Sequence, residues 1–115
     1  MIKTIARLKR KKGISREEFL HHYEKVHAPL ALSKNMPGVK KYVQNHPLNV
    51  EGSGFDNEID GISEMWFDDL EGFKAFDEWL TSSPDAEDLR KDSDLFLDPE
   101  VRLPLFIAEE HSMKE

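Results

Sequence analysis

Cysteine is absent from the 115-residue sequence, which excludes disulfide bonds, cysteine-ligated zinc sites and thiolate catalysis. No apolar run approaches the roughly 18 residues of a membrane-spanning helix. The first residues also lack the apolar core of a secretory signal, so we expect a cytoplasmic protein without membrane contact. The sequence has 16 Lys and Arg residues and 23 Asp and Glu residues, which gives a net charge of −7. A nucleic-acid-binding domain normally has the opposite sign.

The residues that are present have the composition of one folded domain. The length leaves room for a single core, and seven Phe and two Trp can fill it, so we expect one domain over residues 1–115. Residues 1–46 carry eleven Lys or Arg and three Asp or Glu, whereas residues 47–115 carry five and twenty. The basic run Lys9–Lys12 is typical of a solvated strand end. A phosphate or membrane contact is the alternative, which the acidic second half would oppose.

The apolar pattern predicts the element order β-α-β-β-α-β. Ser15 and Glu18 form a capping box at the start of the first helix. Pro29 must kink or interrupt that helix near His27, because proline removes a backbone donor and crowds the preceding turn. The predicted strands are Ile2–Lys9, Val39–His46, Glu58–Phe67 and Val101–Glu110. A second helix is predicted to start at Asp68–Glu71, and a third to cover Pro84–Lys91. The predicted loop is Pro47–Asn57, and the predicted turn region is Asp92–Pro99. This order predicts an α+β, ferredoxin-like fold with a four-stranded antiparallel sheet.

One face of such a sheet lacks a helical cover. By strand alternation, this face would carry Ile5, Tyr42, Ile62, Trp66 and Phe106. A patch of this kind is rarely left exposed to water. We therefore expect a homodimer in which the two sheets pack together and enclose a space that these side chains line.

Several segments together resemble the EthD family. They are Lys9–Phe19, Val26–Ala31 with the letters VHAPLA, Tyr42–His46 with the letters YVQNH, and Glu64–Asp68, and they follow nearly the whole chain in matching order. The resemblance implies a dimeric α+β barrel that binds a small cyclic or aromatic substrate inside each protomer. The family includes proteins found beside hydrocarbon- and ether-degrading oxidases. Related barrels include methylmuconolactone isomerase, fungal polyketide decarboxylases and dehydratases, and cofactor-free monooxygenases.

His27 and Tyr42 are the candidate catalytic residues. The resemblance places His27 where related isomerases have an active-site histidine, and an imidazole titrates near neutral pH, as a general acid or base must. Tyr42 would donate a hydrogen bond that polarises a substrate carbonyl. The alternative for His27 is a structural role at the interrupted helix.

Seven further residues are predicted to form the wall of the substrate pocket: Arg7, Gln44, His46, Ile62, Glu64, Trp66 and Phe106. Polar groups on a sheltered strand face need a partner or a ligand, which is why this set is interpreted as a binding surface. Arg7 would supply a cation for a substrate carboxylate or phenolate. Glu64 would orient His27 or act as a base; a salt bridge with Arg7 is the alternative.

These residues predict a cofactor-independent isomerase or lyase that moves protons on a cyclic ketone, lactone or phenol. The sequence has no motif for a nucleotide cofactor or for a serine nucleophile. We expect no metal either, because His46, Glu64 and His111 are the conceivable ligand set and no ligand motif joins them. Two alternatives remain, a cofactor-free monooxygenase of electron-rich phenols and a non-catalytic protein that binds a hydrophobic metabolite.

Overall fold

The computed structural model describes residues 1–55, 58–100 and 104–114. Its strands are β1 (Ile2–Leu8), β2 (Lys41–Asn45), β3 (Gly61–Phe67) and β4 (Phe106–Glu109), and its helices are α1 (Arg16–His22), α2 (Ala28–Leu32), α3 (Leu70–Ser82) and α4 (Glu87–Phe96). A π-helical segment, Tyr23–His27, joins α1 to α2, and a 3₁₀ turn, Pro84–Ala86, precedes α4. The predicted α+β, ferredoxin-like fold with an antiparallel sheet is confirmed. The predicted strand start at Val101 and the predicted loop end at Asn57 lie outside the described residues.

The sheet has the strand order β2-β3-β1-β4, and its register decides which side chains share a face. Tyr42 is directly opposite Met65, and Gln44 is opposite Ser63. Residues directly opposite each other project to the same side of a sheet. Phe67, two positions beyond Met65, is completely buried and packs against two aromatic rings of α3. These residues therefore lie on the helix-covered side, which we call the helix face, and the opposite side is the outer face.

The first helix begins at the predicted capping box, and its α-helical hydrogen bonding is interrupted near Pro29, as predicted. The Ser15 hydroxyl accepts from the Glu18 N–H at 3.0 Å, and the Glu18 carboxylate accepts from the Ser15 N–H at 3.2 Å, which completes the capping box. Farther along, the N–H of Ala28 donates to the carbonyl of Tyr23, in π-helical geometry. This wide turn lies immediately before Pro29, whose missing N–H breaks the α-helical pattern.

The segment after Pro84 differs from its prediction. The turn predicted from Asp92 onward is wrong, because α4 continues to Phe96. Asp and Ser are weak helix formers, but the burial of Leu89 and Phe96 on one side of α4 stabilises the longer helix. The extension places Asp92 inside the fold, where 7 % of its surface is exposed.

An aromatic core joins α1, the π-helical segment and α4. Phe19, Tyr23 and Phe96 are almost completely buried, and their ring centroids lie 5.3 to 6.2 Å apart. Contacts of this kind hold the π-helical segment against α4. In the described part of the chain, no helix is long and apolar enough to cross a membrane.

Asp60, just before β3, forms a buried ionic cluster. Its fully buried carboxylate accepts hydrogen bonds from the Arg10 backbone N–H at 2.8 Å, from the Arg10 guanidinium at 2.9 Å and from the Arg16 guanidinium at 2.9 Å. Burial by itself raises the pKa of Asp60, but these hydrogen bonds and charges outweigh it and hold the pKa below its ordinary value. The cluster connects the residues after β1 and the start of α1 to the start of β3.

Candidate functional site

A cavity of about 110 Å³ lies between the helices and the helix face of the sheet. Its polar wall consists of His27, Tyr42, Ser63 and Ser93, and its apolar wall consists of Ala31, Met36, Met65, Phe76, Leu80 and Leu89. Both predicted catalytic residues therefore line the same space. The expectation that they face a space between two sheets is wrong, because the register puts Tyr42 on the helix face.

Asp92 holds His27 in one orientation. The Nδ1 atom of His27 lies 2.8 Å from Oδ2 of Asp92, and the Nε2 atom of His22 lies 3.0 Å from Oδ1. An ionised carboxylate only accepts hydrogen bonds, so both imidazole nitrogens donate. Neutral His27 then carries its proton on Nδ1, and Nε2 is the nitrogen that can take a proton from a ligand. A carboxylate that orients a histidine in this way is the arrangement of a general base.

The π-helical segment explains how two histidines reach one carboxylate. His22 and His27 are five residues apart, and residues at that spacing in an α-helix point about 140° away from each other. The wider π-helical turn reduces this difference, so both rings contact Asp92. The segment is fixed from the sheet as well, because the Gln44 side-chain amide donates to the carbonyl of Tyr23 at 2.8 Å.

Tyr42 belongs to a cluster of hydroxyl groups on the helix face. The Gln44 amide donates to the Tyr42 hydroxyl at 2.7 Å, and the hydroxyls of Tyr23 and Ser63 are hydrogen-bonded to each other. Burial raises the pKa of Tyr42 above its ordinary value, and burial also raises the pKa of Tyr23. Both phenols are therefore neutral at physiological pH. Because Tyr42 accepts from Gln44, its own O–H can be donated to a ligand.

Five of the predicted pocket residues lie on the outer face: Arg7, Ile62, Glu64, Trp66 and Phe106. For Ile62, Trp66 and Phe106, this is the uncovered face that the sequence predicts, but Tyr42 does not share it. The prediction aligned Tyr42 with Glu64 and Trp66, whereas the register places it opposite Met65. Neighbouring residues of a strand project to opposite faces, so an error of one residue in the alignment of β2 with β3 moves Tyr42 and Gln44 to the other face. The placement of these five residues beside His27 is therefore wrong.

Neither role predicted for Glu64 is present in the structure. Its carboxylate lies 2.6 Å from Lys3 Nζ and accepts from the Asn45 amide at 2.8 Å, and these contacts hold the pKa of Glu64 below its usual range. It contacts neither His27 nor Arg7, whose guanidinium donates to the carbonyl of Pro104 at 3.3 Å. Asp92 occupies the position next to His27 that was predicted for Glu64.

The remaining two pocket residues, Gln44 and His46, lie beside the cavity. The Gln44 side-chain amide donates to Tyr42, and the Nε2 atom of His46 lies 3.1 Å from the side-chain Oε1 atom of Gln44. The His46 ring centroid is 5.5 Å from that of Tyr23. Both residues therefore support the hydroxyl cluster from outside the cavity.

The conceivable metal ligands do not meet. Glu64 lies on the outer face, His46 contacts residues of the helix face, and the exposed His111 lies 3.0 Å from Glu109. Within residues 1–55, 58–100 and 104–114, no group of three or more His, Asp or Glu side chains is arranged to hold a metal ion.

Comparison with protein families identifies the chain, since the EthD domain matches residues 11–100. The chain belongs to the EthD family. The comparison with curated proteins finds no match, whereas solved structures share the fold. An EthD family protein from Bacillus halodurans is 23 % identical, with 96 % of this chain and 99 % of that chain covered and a TM-score of 0.67.

Two further structures extend the similarity of this EthD domain. An EthD-like protein from Ralstonia eutropha is 16 % identical over 98 % of this chain and 94 % of its own, with a TM-score of 0.68. A dimeric ferredoxin-like protein of unknown function from Thermobifida fusca is 15 % identical over 93 % and 88 %, with a TM-score of 0.61. At these identities, the similarity shows the fold alone.

Asp92, Ser63 and His22 belong to the candidate site but were not predicted from the sequence. The signal for Asp92 is its position between Leu89 and Phe96 on the buried side of α4. A charged residue in the middle of an apolar helical stripe needs a partner inside the fold. Ser63 gave no comparable signal, because a small polar residue is common in a strand.

Proposed function

We propose that this EthD protein is a cofactor-independent enzyme that transfers protons on a small cyclic ketone, lactone or phenol, as an isomerase or a lyase. The observation that carries the proposal is the 2.8 Å contact of His27 with Asp92 at a cavity that Tyr42 also lines. An oriented base and a neutral hydroxyl donor are the two groups that proton abstraction next to a carbonyl requires.

In this mechanism, His27 accepts a proton through Nε2 from the carbon next to the substrate carbonyl. The electron pair of the broken C–H bond moves to the carbonyl oxygen, where the Tyr42 O–H stabilises the negative charge by hydrogen bonding. Asp92 stabilises the imidazolium that His27 has become. His27 then returns the proton to a different carbon, which completes an isomerisation, or to a departing hydroxyl, which completes a dehydration.

Exchange of ligand hydrogen for solvent deuterium tests this proposal without the natural substrate. We expect the protein in D₂O near neutral pH to accelerate the loss of the exchangeable C–H signals of cyclohexenone, butenolide or resorcinol in proton NMR spectra. Heat-denatured protein is the control for buffer catalysis. Rates equal to that control with all three compounds would contradict the proposed proton transfer.

The variant Tyr42→Phe tests the predicted donor. We expect exchange to slow by about 10²- to 10³-fold, the usual effect of removing one donor to a developing oxyanion. The other tyrosine of the chain offers a matched control, since the Tyr23 hydroxyl bonds to Ser63 and does not line the cavity. Tyr23→Phe should slow exchange by less than about tenfold, the scale of one lost neutral hydrogen bond. Equal losses in the two variants would contradict a special role for Tyr42.

Two results would support the alternative functions instead. Oxygen consumption with a hydroquinone or an anthrone would indicate a cofactor-free monooxygenase. Saturable ligand binding without deuterium exchange or oxygen consumption would indicate a protein that binds a metabolite and catalyses nothing.

The protein is also proposed to be a homodimer that pairs through the outer face. Phe106 is 58 % exposed on this face, and the Thermobifida fusca structure is described as dimeric. Phe106→Glu should convert the dimer to a monomer in light scattering at micromolar concentration, because pairing would bury an unpaired charge. Leu95→Glu is the control, since Leu95 is 61 % exposed on α4. A monomeric wild-type protein would contradict the proposal.

A further inference from the structure

We infer that the cavity takes an uncharged compound with a single five- or six-membered ring, whose oxygen faces Tyr42 and Ser63. Such a ligand belongs to the cyclic ketones, lactones and phenols of the proposed function, and this inference rests on that function. Its binding is measurable without turnover, so the ligand class and the reaction can fail separately.

The volume of the cavity limits the ligand to one ring. About 110 Å³ is less than the roughly 150 Å³ of an engineered protein cavity that holds benzene, and far less than the roughly 300–1,000 Å³ of a drug-sized pocket. Met36 and Met65 line the cavity, and their unbranched side chains adjust to irregular shapes. One six-membered ring fits after such an adjustment. Two fused rings would require Phe76 or Leu80 to move.

The hydroxyl groups on the floor of the cavity orient the ligand. Tyr42 and Ser63 lie on adjacent strands of the helix face, and both line the cavity. Phe76, Leu80 and Leu89 cover the cavity from α3 and α4. The Ser63 hydroxyl already bonds to Tyr23, and the Tyr42 hydroxyl already accepts from Gln44. A ligand with one oxygen can accept the Tyr42 O–H and turn its hydrocarbon part toward the helices, so its own polar atom is not buried without a partner.

The charge next to the cavity selects a neutral ligand. Asp92 is 7 % exposed and accepts hydrogen bonds from both His22 and His27, as an ionised carboxylate does. Its negative charge lies behind the His27 ring and opposes a carboxylate or phosphate in the cavity. Arg7, the cation predicted to bind such an anion, lies on the outer face.

The four methionines of the chain provide a direct test. Met36 and Met65 line the cavity, whereas Met1 and Met113 are 51 % and 86 % exposed. Labelling with ¹³C-methyl methionine therefore gives two reporter signals and two internal controls in the full chain. The protein is titrated at neutral pH with phenol, with benzoate as the charged probe, and with naphthol as the two-ring probe.

We expect phenol to cause saturable shifts of the Met36 and Met65 signals while the Met1 and Met113 signals stay unchanged. Benzoate and naphthol should bind at least about tenfold more weakly, because one carries an unpaired charge and the other exceeds the cavity. Binding of either probe as tight as that of phenol would overturn the inference. So would saturable shifts confined to Met1 and Met113, or no saturable shift at all.

The variant Tyr42→Phe distinguishes the contribution of the orienting hydrogen bond to ligand binding from the contribution of filling the cavity. Tyr42→Phe should weaken phenol binding about fivefold, the usual effect of one lost hydrogen bond, and leave binding of benzene unchanged. Equal weakening of both probes would overturn the proposed orientation. Phenol binding without deuterium exchange of any ligand would refute the proton transfer and leave the ligand class intact. Exchange only with carboxylate-bearing rings would refute the ligand class and leave the proton transfer intact.

Discussion

Replacing Asp92 with Asn is expected to slow deuterium exchange by roughly 10³- to 10⁴-fold, the scale on which loss of an orienting carboxylate acts. The Asn amide has one oxygen and one N–H₂ group, so it cannot accept from both His22 and His27. Either His27 loses its acceptor, or it keeps a neutral oxygen that stabilises the imidazolium less than a carboxylate does. Exchange rates and thermal unfolding, measured on the same preparation, check this result.

The matched control for Asp92→Asn lies two residues farther along α4. Asp94 is exposed, and its backbone carbonyl, rather than its side chain, accepts from Lys11 at 3.0 Å. Asp94→Asn should therefore change the rate by no more than about twofold, as surface substitutions do. Equal losses in both variants would indicate a general effect on α4. A wild-type rate in Asp92→Asn would refute the role of the carboxylate.

A double variant decides whether His27 and Asp92 act as one unit. His27→Gln removes the base, so adding Asp92→Asn should slow exchange no further, since residues of one catalytic unit have non-additive effects. A double variant slower than His27→Gln by the full effect of Asp92→Asn would show that Asp92 acts through another group.

Local signals were sufficient to predict where the first helix begins and where it changes. The capping box depends on Ser15 and Glu18 alone, and the interruption depends on Pro29 and the carbonyls of the preceding turn. Both features involve residues within about four positions of each other, so no knowledge of the tertiary structure was needed. The β-α-β-β-α-β order follows from signals of the same range.

The strand faces were predictable only in part, because neither side of β3 is uniformly apolar. Ile62, Trp66 and Phe106 were assigned correctly to the uncovered face, whereas β2 was aligned with the wrong side of β3. The outer face carries Trp66 together with Glu64, and Lys3 and Lys41 lie over the Trp66 ring at 5.1 and 4.7 Å. Charged side chains cover the apolar surface there, which hides the alternation that normally identifies the buried side. Tyr42 was therefore assigned to the wrong face.

The partner of His27 was not predictable from local pattern either. Asp92 is 65 positions away in the sequence, and the contact depends on the length of α4 and on the π-helical segment together. A helix that ended at Lys91, as predicted, would not include Asp92. An ordinary α-helix in place of the π-helical segment would point His22 away from His27. The imidazole was identifiable from the sequence, whereas the group that orients it became visible only in the folded chain.

The second large effect is expected at Asp60, where the variant Asp60→Asn should lower the free energy of unfolding by about 3–5 kcal/mol. The substitution removes the negative charge but keeps the size of the side chain. Both guanidinium groups donate to Oδ1 and the Arg10 backbone N–H donates to Oδ2. In either orientation, the Asn amide therefore sets its N–H₂ group, which cannot accept a hydrogen bond, against at least one of these donors. Urea denaturation followed by circular dichroism measures the change.

The lowered pKa of Asp60 also gives this loss a pH dependence. The pKa of the Asp60 carboxyl is lower in the folded protein than in the unfolded chain, where it is about 3.9. The carboxylate therefore contributes its full stabilisation at pH values above the unfolded pKa, and this contribution is lost as the pH falls through the folded pKa. The stability difference between wild type and Asp60→Asn should therefore be constant near neutral pH and shrink below about pH 4. Asp68→Asn is the control, since the exposed Asp68 lies 3.5 Å from Lys40 and its loss should cost under about 1 kcal/mol. If the two variants were equally stable, the buried cluster would contribute no more to folding than a surface ion pair.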